Sequence, residues 1–316
     1  MLSIAMTTYN GGKYLREQID SILSQTIQEF ELIICDDCSS DSTVAILKEY
    51  ASKDKRIKFF ENEFNLGYLK NFEKVIRLCS GEYIALSDQD DVWMQDHLEI
   101  LYKAIVNRKC SLVGGNSLLV DSNNNYIGSK LINTGKVPNS KSGYEFLLLH
   151  RNLFQGAALM FDRLILEKAL PFPEKIKFHD WWLALVASEE KGVFYIDVPI
   201  VRYRQHGENV TGYHHRDSLL EKIRKFFLND LKAQGVMAVN ILESFLPISN
   251  NKETVTKALF YAECCKNKKI GSVFYFMKNH NGIYVDESKK IFLIRVLKML
   301  CNSISRQKKG ETLWNH

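Results

Sequence analysis

Through residue 88 the apolar positions switch back and forth between two rhythms. "LSIAMTTY" is a short apolar run with the length of a strand, and "GGKYLREQIDSILSQT" places Tyr14, Leu15, Ile19, Ile22 and Leu23 at helical spacing. "FELIICDD" reads as a second strand that ends in acids. "SSDSTVAILKEYASK" reads as a helix opened by a Ser/Asp cluster suited to capping, with Val44, Ile46, Leu47 and Tyr50 on its apolar side. "RIKFFEN", "LKNFEKVIRLCS" and "GEYIALSD" continue as strand, helix and strand. This order predicts an α/β fold with a parallel, doubly wound sheet, and such sheets place ligands at the carboxyl ends of their strands.

From residue 98 the pattern is mixed. A helix is expected over 98–107, a strand at "SLVGGNSLLVD" and a turn or hairpin at "DSNNNYIGSK". "EFLLLHRNLFQGAALMFDRLILEKAL" is apolar enough to continue the core and is ended by "PFP". "IKFHDWWLALVASEEKG" reads as a helix whose start carries His179 and Asp180, and "VFYIDVPIVRYRQHG" as a strand pair broken at Pro199. After Arg216 the reading is almost wholly helical, so two regions are expected, 1–216 and 217–316.

Charge sharpens that division. Up to residue 216 there are 25 Lys and Arg against 28 Asp and Glu, and beyond it 17 against 9, so the first region carries −3 and the second +8 of the net +5. Basic residues are not interleaved with any recognition module for nucleic acid, which is therefore not an expected partner. No apolar run approaches the ~18 residues of a membrane span. "MLSIAMTTYN" lacks the basic start of an export signal. With seven cysteines, these features predict reduced thiols and a cytoplasmic location. Cys35 and Cys38 form a CxxC without a second metal-spaced pair, so small side chains at a strand end are the preferred reading over a metal or redox role.

The chemistry begins at "IALSDQDDVW", where Asp88, Asp90 and Asp91 follow an apolar strand. Carboxylates crowded in a cleft repel one another and are costly to desolvate without a compensating cation. Asp88-Gln89-Asp90 is a D-x-D of the kind that offers hard oxygen ligands to Mg²⁺ or Mn²⁺ alongside substrate phosphates. Taken alone the triplet equally suits a solvated turn. Asp36-Asp37 ends the second strand on the same expected edge, which points to a nucleoside-diphosphate site.

These stretches, "AMTTYNGGKYLREQIDSILSQT", "FELIICDDCSSDST", "NLGYLKNFEKVIRLCSGEYIALSDQDDVW", "HDWWLAL" and "YRQHGENVTG", resemble in order and spacing the family 2 glycosyltransferases, inverting enzymes of GT-A fold with a Rossmann-like mixed sheet flanked by helices. The set spans roughly residues 2 to 212. "SDQDDVW" and "HDWW" with "YRQHG" resemble in particular the bacterial rhamnosyltransferases of surface polysaccharide synthesis. The resemblance implies a metal-dependent transfer of a sugar, with rhamnose from dTDP-rhamnose preferred and a UDP-hexose as the alternative, to a hydroxyl of a growing, lipid-linked glycan. It places Thr7 and Tyr9 against the nucleotide, with Tyr9 stacking on the base and Asp37 accepting from the pyrimidine ring NH. It places Lys70 near the diphosphate, Asn71 in support, Asp88 and Asp90 on the Mn²⁺ or Mg²⁺, and Asp91 near the donor sugar. Asp180 matches the catalytic base, in hydrogen-bond reach of the acceptor hydroxyl. His179 replaces the family's usual acid. His206 would be a further metal or diphosphate ligand, and Arg204, two residues earlier on the same face of an extended segment, would steady the diphosphate.

Plainer readings stand beside these. Asp36 suits a helix cap, and His179 suits a packed or capping role better than a ligand role. Of Trp181 and Trp182, one is expected in the core and one facing the acceptor. In the tail, Ile291, Leu293, Ile294, Leu297, Leu300 and Ile304 form an apolar stripe flanked by Lys289, Lys290, Arg295 and Lys298. That stripe fits either a peripheral contact with an anionic membrane or packing on the catalytic domain or a second subunit of a homodimer. A module that binds sugar nucleotides or glycans without turnover is the rival from another class, and a base opposite the metal argues against it.

Overall fold

The computed structural model describes residues 1–130, 152–207 and 230–267. They fall into two compact units, one of 1–130 and 152–207 and the other of 230–267. In the first unit β1 (Leu2–Thr8), β2 (Phe30–Asp36), β3 (Ile57–Glu61) and β4 (Tyr83–Ser87) pair in parallel, in the order β3-β2-β1-β4. Every residue of β1 and β2 is buried, as unbroken apolar runs require of strands covered on both faces. The crossovers are α1 (Leu15–Leu23), α2 (Thr43–Lys53) and α3 (Tyr68–Leu78), which turn Leu15, Ile19, Ile22, Ile46, Leu47, Phe72, Val75 and Ile76 inward. Thr8 lies beside Asp36 and Met6 beside Ser87, so the acids that follow β2 and β4 share one edge of the sheet.

Past β4 the expected parallel order gives way to a mixed sheet. After β5 (Val92–Trp93) and α4 (His97–Arg108) come β6 (Leu112–Val120), β7 (Tyr126–Lys130), β8 (Leu159–Asp162) and β9 (Val193–Arg204). β8 runs antiparallel between β4 and β6, β9 lies parallel to β6, β5 is antiparallel to β9 at the far end, and β7 hangs on β6. β5 and β8 are two and four residues long, too short to show a period in the sequence. β9 is one strand rather than the expected broken pair. Pro199 sits opposite Asn116, between two register shifts, so its missing N–H falls in a bulge and the ladder resumes at Val201.

A short α5 (Leu166–Ala169) precedes α6 (His179–Glu189), in which His179 and every residue from Trp181 to Ala187 are buried. A helix apolar all round must lie inside. Both Trp181 and Trp182 are therefore core residues, 6% and 2% exposed, and the indole N–H of Trp182 donates to the Ala169 carbonyl at 2.9 Å. Both are buried, which corrects the expected split of one in the core and one exposed to an acceptor.

The second unit contains α7 (Asp230–Phe245) and α8 (Lys252–Lys266), which pack together and bury Val239, Leu242, Phe245, Val255, Ala258 and Ala262. No helix among the described residues is long and apolar enough to cross a membrane. The amphipathic stripe from Ile291 to Ile304 lies outside the described residues.

Candidate active site

The turn after β4 is pinned from two sides. From the first side, Gln89 reaches the loop after β1: its Oε1 accepts the Tyr9 N–H at 2.8 Å and its Nε2 donates to the Tyr9 carbonyl at 3.0 Å. Gly11 makes room for this, because a Cβ there would stand 2.1 Å from Gln89 Oε1. The Tyr9 ring is left 52% exposed, free to stack on a flat ligand. Thr7, near the end of β1, is buried and sits beside Cys35.

From the second side, Arg204 at the end of β9 donates its backbone N–H to Asp91 Oδ1 at 3.0 Å and its Nε to the Asp90 carbonyl at 2.8 Å. Two residues on, His206 Nε2 lies 2.8 Å from Asp90 Oδ2. Asp88, Gln89 and Asp90 are part-buried and Asp91 is fully buried.

Crowding shows in the proton affinities. Burial, then the charges of Asp90 and Asp180, push Asp88 up to about 7. Burial, then the charges of Asp90 and Asp88, push Asp91 well above the usual carboxylate range, and its Oδ2 has no hydrogen-bond partner. Asp180 is thus near enough to Asp88 for its charge to contribute to that rise. Asp180, in the first turn of α6, accepts the Trp181 N–H on Oδ1 at 2.7 Å and the Gly156 N–H on Oδ2 at 3.2 Å. Burial raises it to about 6 against the opposing bonds from Trp181, Gly156 and the Asn152 side chain.

His179 is a packed histidine, in line with its plainer reading. It is 1% exposed, stacks on Phe72 at 4.2 Å, has no hydrogen-bond partner on either ring nitrogen, and is lowered by burial to about 3. Tyr68, which opens α3, leans edge-on against His179 at 5.2 Å. Burial, then Asp88 and Asp180, push its phenol well up. Sequence reasoning named only its segment; the one signal was an aromatic residue directly after the Gly67 turn.

The acids after β2 are engaged internally. Asp36 accepts the Thr8 hydroxyl at 2.8 Å, the Ser39 hydroxyl at 2.6 Å and the Ser39 N–H at 2.8 Å, so it shapes the next loop rather than facing a ligand. Asp37 Oδ1 accepts from Asn62 Nδ2 and the Leu66 N–H, both at 2.7 Å, and Oδ2 accepts the Gly67 N–H at 2.8 Å. A ring NH from a base would be a fourth donor to that carboxylate. Asn71 supports this corner, donating to the Cys35 carbonyl at 2.9 Å and accepting from Asn62 at 3.0 Å. Lys70 pairs with Glu73 at 3.3 Å.

One expectation needs correction. The Arg204 side chain is 1% exposed, with its donors directed into protein, so it does not present its guanidinium to a diphosphate. Cys35 and Cys38 are held as thiols: burial pushes Cys35 up to about 11, and Cys38 is raised by the partial loss of water around its sulfur and then by the Asp37 charge. Cys35 is buried and Cys38 exposed, so the pair does not face a common ligand.

Among the described residues, no three His, Cys, Asp or Glu side chains converge as a finished metal cage. The residues present nevertheless fit a hard divalent cation. Asp88 and Asp90 offer carboxylate oxygens, His206 offers an imidazole, and the Asp91 Oδ2 beside them is a buried oxygen without a hydrogen-bond partner. Mg²⁺ ordinarily takes one or two carboxylates and completes its shell with water and substrate phosphates.

Comparison with known proteins agrees with this geometry. The family model described as Glycosyl transferase family 2 matches residues 3–170. An uncharacterized glycosyltransferase of Methanocaldococcus jannaschii is 31% identical over 233 residues, covering 71% of this chain and 75% of that protein. The Escherichia coli UDP-Glc:alpha-D-GlcNAc-diphosphoundecaprenol beta-1,3-glucosyltransferase WfgD is 31% identical over 183 residues, 57% of this chain and 68% of that one. Among solved structures, S. aureus TarS 1–349 in complex with UDP-GlcNAc superposes with a TM-score of 0.57 at 16% identity, covering 89% of this chain and 91% of that one. The mannosyltransferase PcManGT from Pyrobaculum calidifontis, in complex with GDP-Man and Mn²⁺, gives 0.54 at 15% identity, covering 98% and 88%. At such identities the structural likeness speaks for the fold.

Proposed function

The chain belongs to glycosyl transferase family 2 and has the GT-A fold, and from that premise we propose that it transfers a sugar, with inversion and with a divalent cation, from a nucleoside diphosphate to a hydroxyl of a surface polysaccharide precursor. The observation that carries the reading is a pair of carboxylates close enough to feel one another's charge: Asp88 of the D-x-D, raised by burial and by the charges of Asp90 and Asp180, and Asp180 anchored on Gly156 and Trp181.

In this reading Asp88, Asp90 and His206 would hold Mn²⁺ or Mg²⁺, which would supply positive charge for the departing diphosphate. Asp180 accepts the proton of the acceptor hydroxyl as its oxygen forms the new bond to the anomeric carbon. The two backbone N–H groups on the Asp180 carboxylate fix its direction, and burial raises its basicity. Asp91, fully buried, does not reach the donor sugar as expected and instead holds the Arg204 N–H beneath the turn; Tyr9 and Thr7 bound the base, Asp37 and Asn71 shape that corner, and Lys70 serves the diphosphate.

The sequence resemblance favours dTDP-rhamnose as donor. A UDP-hexose is the second reading, supported by the UDP-Glc in the name of the Escherichia coli relative and the UDP-GlcNAc bound to TarS. A lipid diphosphate acceptor is likewise supported by the name of that relative. The test is a thermal-shift panel of UDP, dTDP, GDP and CDP sugars with Mn²⁺ or EDTA, followed by transfer assays on the nucleotide that binds. A Mn²⁺-dependent shift with one nucleotide class is expected. No shift with any class would overturn the donor site, and free-sugar release at one rate with or without acceptor would make the protein a hydrolase.

A further inference from the structure

In β9, Arg202 and Arg204 stand two residues apart and so share a face of the strand, yet Arg202 is exposed and Arg204 is buried. A guanidinium taken almost wholly out of water is costly unless its donors are met. The Arg204 donors are met by three segments far apart in sequence. Its backbone N–H holds the Asp91 carboxylate and its Nε holds the Asp90 carbonyl. Its Nη1 donates to the Ser122 carbonyl, in the turn between β6 and β7, at 3.0 Å, and its Nη2 bonds the Glu17 carboxylate on α1. Its plane lies over the Tyr14 ring at 4.6 Å, and the same ring carries His206 at 4.9 Å. Glu17, the charged partner, is 45% exposed, so a buried ion pair is a poor account of why the cation is there.

We infer that Arg204 is the positioning residue of the site: it fixes the backbone of the D-x-D turn directly, and the His206 ring through Tyr14, in the arrangement that takes a divalent cation and a nucleoside diphosphate, without touching either. This rests on the reading under Proposed function. A lysine cannot replace it, because an ammonium lacks the planar fork that spans Asp90, Ser122 and Glu17 at once.

The test uses the full chain with Arg204→Met, Arg204→Lys and Glu17→Gln. Hydrogen exchange over residues 88–93 is measured in the metal-free protein. Transfer rates are measured against Mn²⁺ concentration, and the thermal shift with Mn²⁺ and nucleotide is recorded. Faster exchange is expected in all three variants, most in Arg204→Met. The two Arg204 variants should need ~10- to 100-fold more Mn²⁺ for half-maximal rate, the range typical of residues that orient metal ligands. Their kcat should recover at saturating Mn²⁺, because Asp180 is untouched. Wild-type exchange in Arg204→Met, full rescue by Lys, or a kcat deficit that Mn²⁺ does not relieve would each overturn the inference. If Arg204→Met does not fold, wild-type exchange in both Glu17→Gln and Arg204→Lys overturns it. A wild-type protein with no nucleotide shift overturns the functional reading instead, and the metal-free exchange still decides whether Arg204 braces the turn.

Discussion

Asp180→Asn separates chemistry from binding and stability in one substitution. Asn preserves the shape, and its amide oxygen still accepts a backbone N–H of the kind that Gly156 and Trp181 offer. The group proposed to take the acceptor proton is lost. A general base contributes ~10²–10⁴-fold, so kcat should fall by at least ~10², or ~2.7 kcal/mol of barrier at ~1.36 kcal/mol per decade. Asp180 titrates near about 6. The wild-type kcat should therefore show an acid limb of unit slope centred near that pH, with roughly a tenth of the base ionised one unit below it. In the variant that limb should vanish.

Stability should move the opposite way. A carboxylate raised from 3.8 to about 6 binds its proton more tightly folded than unfolded. The fold is thus favoured at low pH, and the advantage is lost as pH rises through about 6. Above that pH the ionised form costs up to ~3 kcal/mol, an upper bound taken at 1.36 kcal/mol per unit. Asp180→Asn should accordingly melt higher than wild type at pH 8 and close to it at pH 4. Stopped assays at saturating donor across pH 5–9, with melting curves at both pH values, read all three quantities. A kcat within about threefold of wild type, or an acid limb that survives the substitution, would place the base elsewhere.

Asp88→Asn should behave likewise in stability and differently in function. Its carboxyl is raised from 3.8 to about 7, so the metal-free variant should gain stability that grows as pH rises from about 4 through 7, by up to ~4 kcal/mol, while Mn²⁺-dependent nucleotide binding is lost; denaturant titration with and without Mn²⁺ checks both. Tyr9→Ala removes a half-exposed ring and should weaken nucleotide binding by roughly tenfold, given ~1–3 kcal/mol for a base stacked on an aromatic side chain, with kcat little changed; calorimetry with the nucleotide reads it. Gly11→Ala would drive Gln89 off Tyr9, because the new Cβ sits 2.1 Å from its Oε1. Donor affinity should then fall as far as in Gln89→Ala, and the double variant should be no worse than either single one; additive losses would mean the two positions act separately.

The sequence revealed what is local and concealed what is assembled. β1 to β4 were legible because buried parallel strands are continuous apolar runs and their helices carry a 3.6-residue stripe. The D-x-D, Asp180 and His206 were legible as residue types at family spacing. β8 was not, because a four-residue strand inserted antiparallel between β4 and β6 has no period of its own and owes its place to the edges it joins. Arg204 was misread for the same kind of reason. Alternation put it on the face of His206, which is correct, but whether a cation on that face meets a ligand or protein depends on what arrives from elsewhere. What arrives is Glu17 from α1 and the Ser122 carbonyl from the β6–β7 turn, 187 and 82 residues away in sequence. Asp36 and Asp37 follow suit: as adjacent acids at a strand end they read alike, and only the loops that close over them show one shaping the 36–39 turn and the other clamping residues 66 and 67. The carboxylates left under-compensated after that closure are Asp88, Asp91 and Asp180, all raised by burial. A fold that satisfies the β2 acids with its own N–H groups and leaves the β4 acids short of positive charge has concentrated its demand for a cation at one turn, and that asymmetry, invisible in "CDDC" and "DQDD" side by side, is what favours β4 as the seat of the proposed chemistry.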